Sequence, residues 1–366
     1  MYKCLLVTGG AGFVGSSLAI SLKRSQAADS VVVLDNLHRA GSSLNVNRLR
    51  REGIQFVHGD IRVLDDLMSL PRPDLIIECS AEPSVMAGYS GSPQYLINTN
   101  LVGCFHCLEL ARAAKADFLF VSTSRVYPYR RINELLWREE VTRFELNPDQ
   151  IIAGASERGI AEDFPLDGPR SLYGMTKLSA ELMLQEYADA YGLRFVINRC
   201  GLLTGPWQMG TSEQGVIGLW VAAHHFKQPL HYFGFGGAGK QVRDFLHVDD
   251  LCDLVLDQIR NIDSYHGNVY NVGGGRERSL SLLETTELAE RITGNRIPMS
   301  AALENRRADV RIYLTDNGRV SKVNGWGPKR DAYTTLNDIH CWIKAEEAML
   351  RPVLDMGAQF RVMPER

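Results

Sequence analysis

The chain alternates short apolar runs with longer stretches in which apolar residues recur every three or four positions. The short runs Cys4–Thr8, Val31–Asp35, Gln55–Gly59, Leu75–Glu78, Phe118–Ser122 and Arg194–Arg199 predict strands. The stretches Phe13–Arg24, Ser43–Arg50, Val63–Leu70, Pro93–Ala114 and Leu172–Tyr191 carry the helical period. Such alternation predicts an α/β fold, a doubly wound parallel sheet with helices on both faces. Ligands bind these sheets outside the carboxyl ends of the strands, so residues just after each strand carry the most functional weight.

Two stretches break the rhythm. From Tyr127 to Tyr173 the chain runs 46 positions with charged residues, Pro148, Gly154, Gly159, Pro165 and Pro169. That is too long for a simple loop and predicts an insertion, residues 128–170, beside the active site. Beyond Gly201 the pattern turns irregular and glycine-rich before helices and short strands return. The expected organisation is therefore a first domain over 1–200 and a smaller, mainly substrate-binding part over 201–350. The tail, 351–366, shows no periodicity and is assigned no role.

Composition narrows the classes. A chain of 366 residues accommodates about two units of ~150 residues, and 45% hydrophobic with 23% charged is ordinary globular usage. The 40 basic and 43 acidic residues are well mixed, giving a net charge of −3 and no basic stripe for nucleic acid. No run of about 18 apolar residues occurs, which argues against a membrane-spanning helix. Glycine follows too soon after Met1 for a signal peptide, and the expected location is the cytoplasm. Seven scattered cysteines fit a reducing compartment. Cys104 and Cys107 form a C-x-x-C inside a helical stretch, with no second ligand pair at zinc spacing, so they read as packing thiols and no metal is expected.

The chemistry-bearing residues follow strands. Thr8-Gly-Gly-Ala-Gly-Phe-Val-Gly15 leaves the first strand and opens a helix, with Gly9, Gly12 and Gly15 three apart. Such glycines permit a tight turn, close approach to a pyrophosphate at a helix N-terminus, and close helix packing. Asp35, about twenty residues past Gly15, suits the two ribose hydroxyls of an adenosine and repels a 2′-phosphate, favouring NAD over NADP. Arg39 keeps NADP open, and a turn-forming Asp ahead of Asn36 is the plainer reading of Asp35. Asp60-Ile61 suits an adenine edge. Tyr173-Gly-Met-Thr-Lys177 puts a phenol and an ammonium on one helix face. A phenol near pKa ~10 is a poor base at neutral pH, and a nearby Lys⁺ lowers that value. Ser122-Thr-Ser124 ends the fifth strand, where a hydroxyl can hold the substrate oxygen whose proton the Tyr takes.

Taken with Leu34–Leu37, Gly59–Arg62, Asn100, Val242–Asp250 and Asn271–Gly275, these motifs make the chain resemble the extended short-chain dehydrogenases/reductases, in the nucleotide-sugar epimerase/dehydratase superfamily, over roughly Lys3 to Pro328. The resemblance implies a Rossmann-type domain, bound NAD, a nucleotide-sugar substrate and a homodimer. It implies Tyr173 as base, Lys177 on the nicotinamide ribose and Thr123 as hydroxyl partner. Cofactor contacts would come from Gly9, Gly12, Phe13, Val14, Gly15, Asp35, Asn36, Asp60, Ile61 and Asn100, besides Tyr173 and Lys177. Substrate contacts would come from Ser124, Arg125 and Arg199, with Arg243 and Arg306 on the pyrophosphate, where a planar fork suits phosphate. Two departures stand out: Arg307-Ala308-Asp309 replaces the usual Pro-Gly-Asp, and Glu78-Cys79-Ser80-Ala81 replaces the usual His-x-Ala-Ala, with Glu82 and Pro83 following.

Within the superfamily a 4,6-dehydratase needs an acid and a carboxylate after the strand-five Thr, and decarboxylating relatives carry Glu where this chain has Arg125. Here Ser124-Arg125 follows Thr123, which weakens both lyase readings and favours an isomerase. The long insertion and the segment Thr211–Trp220 ahead of Gly239–His247 most resemble the CDP-paratose 2-epimerases, also called CDP-tyvelose epimerases. That implies a CDP-hexose or CDP-deoxyhexose inverted at C2 through a keto intermediate, with the hydride returned. A UDP-sugar 4-epimerase would share every catalytic residue and stays open, as do a 4,6-dehydratase and a non-catalytic NAD-binding protein.

Overall fold

The computed structural model describes residues 2–89, 91–210 and 215–355. Six strands follow the expected runs: β1 (Tyr2–Thr8), β2 (Ala28–Asp35), β3 (Gln55–His58), β4 (Leu75–Glu78), β5 (Asp117–Thr123) and β6 (Phe195–Cys200). A seventh, β7 (Asn268–Val272), joins them in the order β7-β6-β5-β4-β1-β2-β3, every neighbour parallel. Both faces are covered, which is why the strands read as near-continuous apolar runs. In β1, for example, Leu5 and Val7 enter one core and Leu6 the other. The winding reverses between β1 and β4, and a crevice opens at the carboxyl ends there.

Helices α1 (Phe13–Arg24) and α3 (Leu172–Tyr191) run as their periodicity predicts. The stretch 93–114 does not form one continuous α-helix. It opens with an α-helical turn (Gln94–Ile97), widens to a π-helical turn (Asn98–Val102), and continues as α2 (Gly103–Ala114). The widened turn contains Asn100, whose carboxamide is committed elsewhere, and π-turns of this kind commonly mark functional sites. Gly103 follows because a Cβ there would meet Ile61 at 2.5 Å.

The expected break at residue 200 needs correcting. β7 pairs along the edge that β6 would otherwise expose, and Leu251, Leu254 and Val255 of helix Val248–Arg260 bury in the core against β1 and α1. The chain leaves the large sheet at 201 and returns to it. The remaining segments build a four-stranded sheet from Leu202–Thr204, Val242–His247, Ser279–Ser281 and Ile312–Tyr313. The insertion folds as a short helix (Tyr129–Asn133) and two small hairpins, and shares a core with Val242, Val310 and Leu314. The start of the tail continues α4 (Glu347–Leu354), which buries Leu350 and Leu354 beside Ile339 and Ile343. No helix among the described residues is long and apolar enough to cross a membrane. Residues 356–366 and Thr211–Gln214, the front of the segment expected to mark CDP-sugar specificity, lie outside the described residues.

Candidate active site

The glycine turn is closed by backbone. Gly12 N–H donates to the Gly9 carbonyl at 3.0 Å, and Gly9 sits at φ +62°, where a side chain would be strained. A Cβ on Gly15 would run into the Gly9 carbonyl and lie 2.9 Å from Gly10 Cα. Helix α1 therefore starts against the turn, with Gly12 as N-cap, no capping side chain and no acid in its first turn. Phe13 and Val14 stand in that first turn, half-buried. Its amide end is left open to an anion, which fits a pyrophosphate.

Asp35 ends β2 beside this turn. Its carboxylate accepts from Ala11 N–H at 3.0 Å and Leu37 N–H at 2.8 Å, so the turn-forming role is real. It also lines a cleft of about 360 Å³ together with Gly9, Gly12, Asn36, Asp60 and Ile61. Burial pushes its carboxyl up, against the backbone amides of Leu37, Ala11 and Gly12. Asp60 is held by Arg62 at 2.6 Å and by Asn36 Nδ2 at 2.9 Å. Burial raises its carboxyl, but these hydrogen bonds prevail and bring it down to about 2. The cleft fits a dinucleotide's adenosine end: carboxylate, glycine wall and open helix end converge on it.

The reactive end lies over β5. Tyr173 and Lys177 stand one turn apart on α3, 8% and 2% exposed. The Thr123 hydroxyl lowers the Tyr173 phenol and caps the turn Ser124–Val126 by accepting from Arg125 N–H at 3.2 Å. Burial raises the Tyr173 phenol, while Lys177, Thr123 and Arg125 pull it down. Lys177 thus acts in the expected direction, yet burial outweighs it and the phenol stays above its ordinary value.

Two expected ligand contacts are engaged with other parts of the chain. Arg199, read as a substrate ligand, is 4% exposed. Its guanidinium forks onto Glu181 at 2.7 and 3.0 Å and donates to Tyr127 Oη at 3.1 Å, so it ties β6 to α3. Asn100, read as a cofactor ligand, accepts from Glu82 N–H at 2.7 Å and donates to the Glu82 carbonyl and Thr176 Oγ1. Its amide fastens the loop after β4 to α3. Neither pairing is visible in sequence, because the partners lie 18 and 76 positions from their residues.

The other arginines gather on one loop. Arg125 Nη1 donates to the Ala308 carbonyl at 3.2 Å; Arg243 Nη2 pairs with Asp309 at 2.8 Å and donates to the Val310 carbonyl. Arg306 stacks its guanidinium 4.1 Å from the Phe233 ring and lines a second cavity of about 460 Å³ with Tyr89, Tyr129 and Asn133. Ser124 sits half-buried at the turn that carries Arg125. Three features escaped sequence reading. Met209 and Val353 wall the cleft, His38 and Arg62 stack on Tyr95 at 4.5 and 4.8 Å, and Glu78 lies under Lys177. Only Glu78 had a signal, its place in the departing Glu78–Ala81 motif.

Comparison with known proteins agrees with this geometry. The model of the "NAD dependent epimerase/dehydratase family" matches residues 5–273. The chain is 31% identical over 346 residues to the CDP-paratose 2-epimerase of Salmonella typhi, covering 92% of this chain and 98% of the relative. A dTDP-glucose 4,6-dehydratase from Streptomyces venezuelae, solved with NAD bound, superposes with TM-score 0.78 at 27% identity, covering 96% of this chain and all of that one. The UDP-glucose 4-epimerase of Thermotoga maritima superposes with TM-score 0.73 at 26% identity, over 94% and 100% of the two chains.

Proposed function

Because the chain belongs to the NAD-dependent epimerase/dehydratase family, we propose that it is a nucleotide-sugar epimerase that inverts C2 of a CDP-hexose or CDP-deoxyhexose. One observation carries epimerisation over loss of water: Thr123 is followed by Ser124 and Arg125, whose guanidinium reaches the Ala308 carbonyl, so no carboxylate succeeds Thr123. Bound NAD supplies a reversible two-electron oxidant and a positively charged ring. The chain's residues manage the proton. The Tyr173 phenolate accepts it from the sugar hydroxyl being oxidised, Thr123 hydrogen-bonds the same oxygen, and Lys177 stabilises the phenolate. Tyr173 gives the proton back when the carbonyl becomes a hydroxyl again, so nothing is consumed.

The CDP assignment is supported by the relative that shares 31% identity across nearly the whole chain. Arg125, Arg243 and Arg306 are the sugar-nucleotide side, grouped on loop 306–310 as a diphosphate clamp requires. A second copy covers the exposed Phe105 and Leu182, on the adjoining helices α2 and α3. Seven free cysteines suit the cytoplasm.

The test is a panel of CDP-, UDP-, GDP- and dTDP-hexoses, deuterated at C2, incubated without added NAD and followed by NMR. CDP-hexoses should invert at C2 with the deuterium retained, and UDP-hexoses slowly or not at all. Efficient C4 inversion of a UDP-sugar would overturn the substrate and the position together. Loss of water from dTDP-glucose would make the enzyme a dehydratase.

A further inference from the structure

Glu78 ends β4, 1% exposed, in a position where nothing so far has used it. Its backbone neighbours across the sheet are Thr8, just before the glycine turn, and Phe120 of β5. Its Oε2 lies 3.4 Å from Lys177 Nζ, and its Oε1 has no hydrogen-bond partner. Lys177 Nζ also sits 4.2 Å from the centre of the Phe120 ring. The lysine that serves Tyr173 is thus seated on an apolar ring and one carboxylate, away from water.

We propose that Glu78 is a positioning residue: its carboxylate anchors Lys177 under the nicotinamide end and keeps that amine charged. The proposal rests on Lys177 serving NAD and Tyr173, and not on which sugar is turned over. A buried ammonium without a counter-charge sheds its proton, because desolvation penalises the charged form. The titratable groups interacting with Lys177 from neighbouring elements are Glu78, Cys79, Cys104, Cys107 and Cys200, with Tyr173 on its own helix. Burial raises all four thiols, so they stay neutral and cannot balance it. Burial alone would lower Lys177, but Glu78 first and Tyr173 second more than offset it. The carboxylate is the counter-charge left, and it is paired in turn, since burial raises Glu78 while Lys177 opposes the rise.

The sign of the consequence is fixed. Without the carboxylate, Lys177 loses its proton at lower pH and stops supporting both the phenolate and the nicotinamide ribose. Glu78→Gln keeps the shape and removes the charge. Its alkaline limb of kcat should move to lower pH by about one unit or more, the usual size for one opposite charge at this range. NAD affinity, measured on apoprotein by calorimetry from pH 6 to 10, should weaken with the same lowered midpoint, a readout that needs no sugar substrate. Glu78→Asp, which draws the charge back by about one methylene, should move both midpoints part of the way, and it carries the test alone if the Gln variant does not fold. Variants that fold but lose activity evenly at all pH, with limbs and NAD midpoint where wild type has them, would overturn the proposal and leave Glu78 as packing. A shifted NAD midpoint in a protein inactive on every nucleotide sugar would support Glu78 while sinking the epimerase reading.

Discussion

The cofactor side and the substrate side are built by different means. On the proposed reading the cleft at the carboxyl ends of β1 to β4 recognises NAD largely through backbone: a turn closed by its own amides, a bare helix end, and a carboxylate already braced by two N–H groups. On the same proposed reading the substrate side is assembled from scattered side chains, Arg125, Arg243 and Arg306, which are 118 and 63 positions apart in sequence and meet on the loop 306–310. Backbone recognition needs a contiguous motif and tolerates few exchanges. Side-chain recognition can be retuned one residue at a time, which is how one family holds epimerases and dehydratases on CDP-, UDP- and dTDP-sugars.

Tyr173 stands at the seam, and removing its hydroxyl is the largest single blow. Tyr173→Phe should cost turnover about 10²–10⁴-fold, the usual worth of a general base, while NAD stays bound. Burial of the phenol is unchanged in size, so the fold should hold. Turnover within a few-fold of wild type would assign the proton to another group and dissolve the seam.

The next effect tests the backbone side. In Gly15→Ala the new methyl meets the Gly9 carbonyl and comes within 2.9 Å of Gly10 Cα, both backbone, so the turn must open. NAD affinity should fall about 10- to 100-fold, with a stability loss of about 1–3 kcal/mol from overpacking. Fluorescence titration of apoprotein with NAD reads the first and thermal unfolding the second. Unaltered NAD affinity would mean that the turn is more pliant than its hydrogen bonds imply.

That division also explains what the sequence could disclose. The parallel strands were legible because a doubly covered sheet imposes near-continuous apolar runs, and β4 matches its expected limits residue for residue. The glycine turn, Asp35 and the Tyr173–Lys177 pair could be singled out because each is local or sits at a strand's end. The Arg199 pairing was not legible because its partner is Glu181, buried on another element. The Asn100 tether was not legible because the same amide that suits a ligand also suits the two backbone groups of Glu82. The domain break at 200 failed for a topological reason: an unpaired edge of β6 recruits β7 from 68 positions downstream. Glu78 announced itself only as a departure from a pattern, and its partner became visible when α3 and β4 were packed together.

The smallest expected effect tests the side-chain half of the comparison. Arg243 sends one fork to Asp309 Oδ1 at 2.8 Å and the Val310 carbonyl, and the other to the Val242 carbonyl, so its plane is fixed before any ligand arrives. Burial lowers the guanidinium's pKa and Asp309 opposes it, as for a cation held ready for a second anion. Arg243→Lys keeps the charge and loses the fork. A bidentate charge-assisted contact reduced to a single one should raise KM for the nucleotide sugar about tenfold, some 1.4 kcal/mol, while kcat changes less than about threefold. NAD affinity should not move, because the residue faces the other half of the molecule. Steady-state kinetics beside NAD titration of the same preparation separates these quantities. If NAD affinity and kcat fell together with substrate affinity, loop 306–310 and the glycine turn would form one cooperative unit, and the two modes of recognition would not be independent.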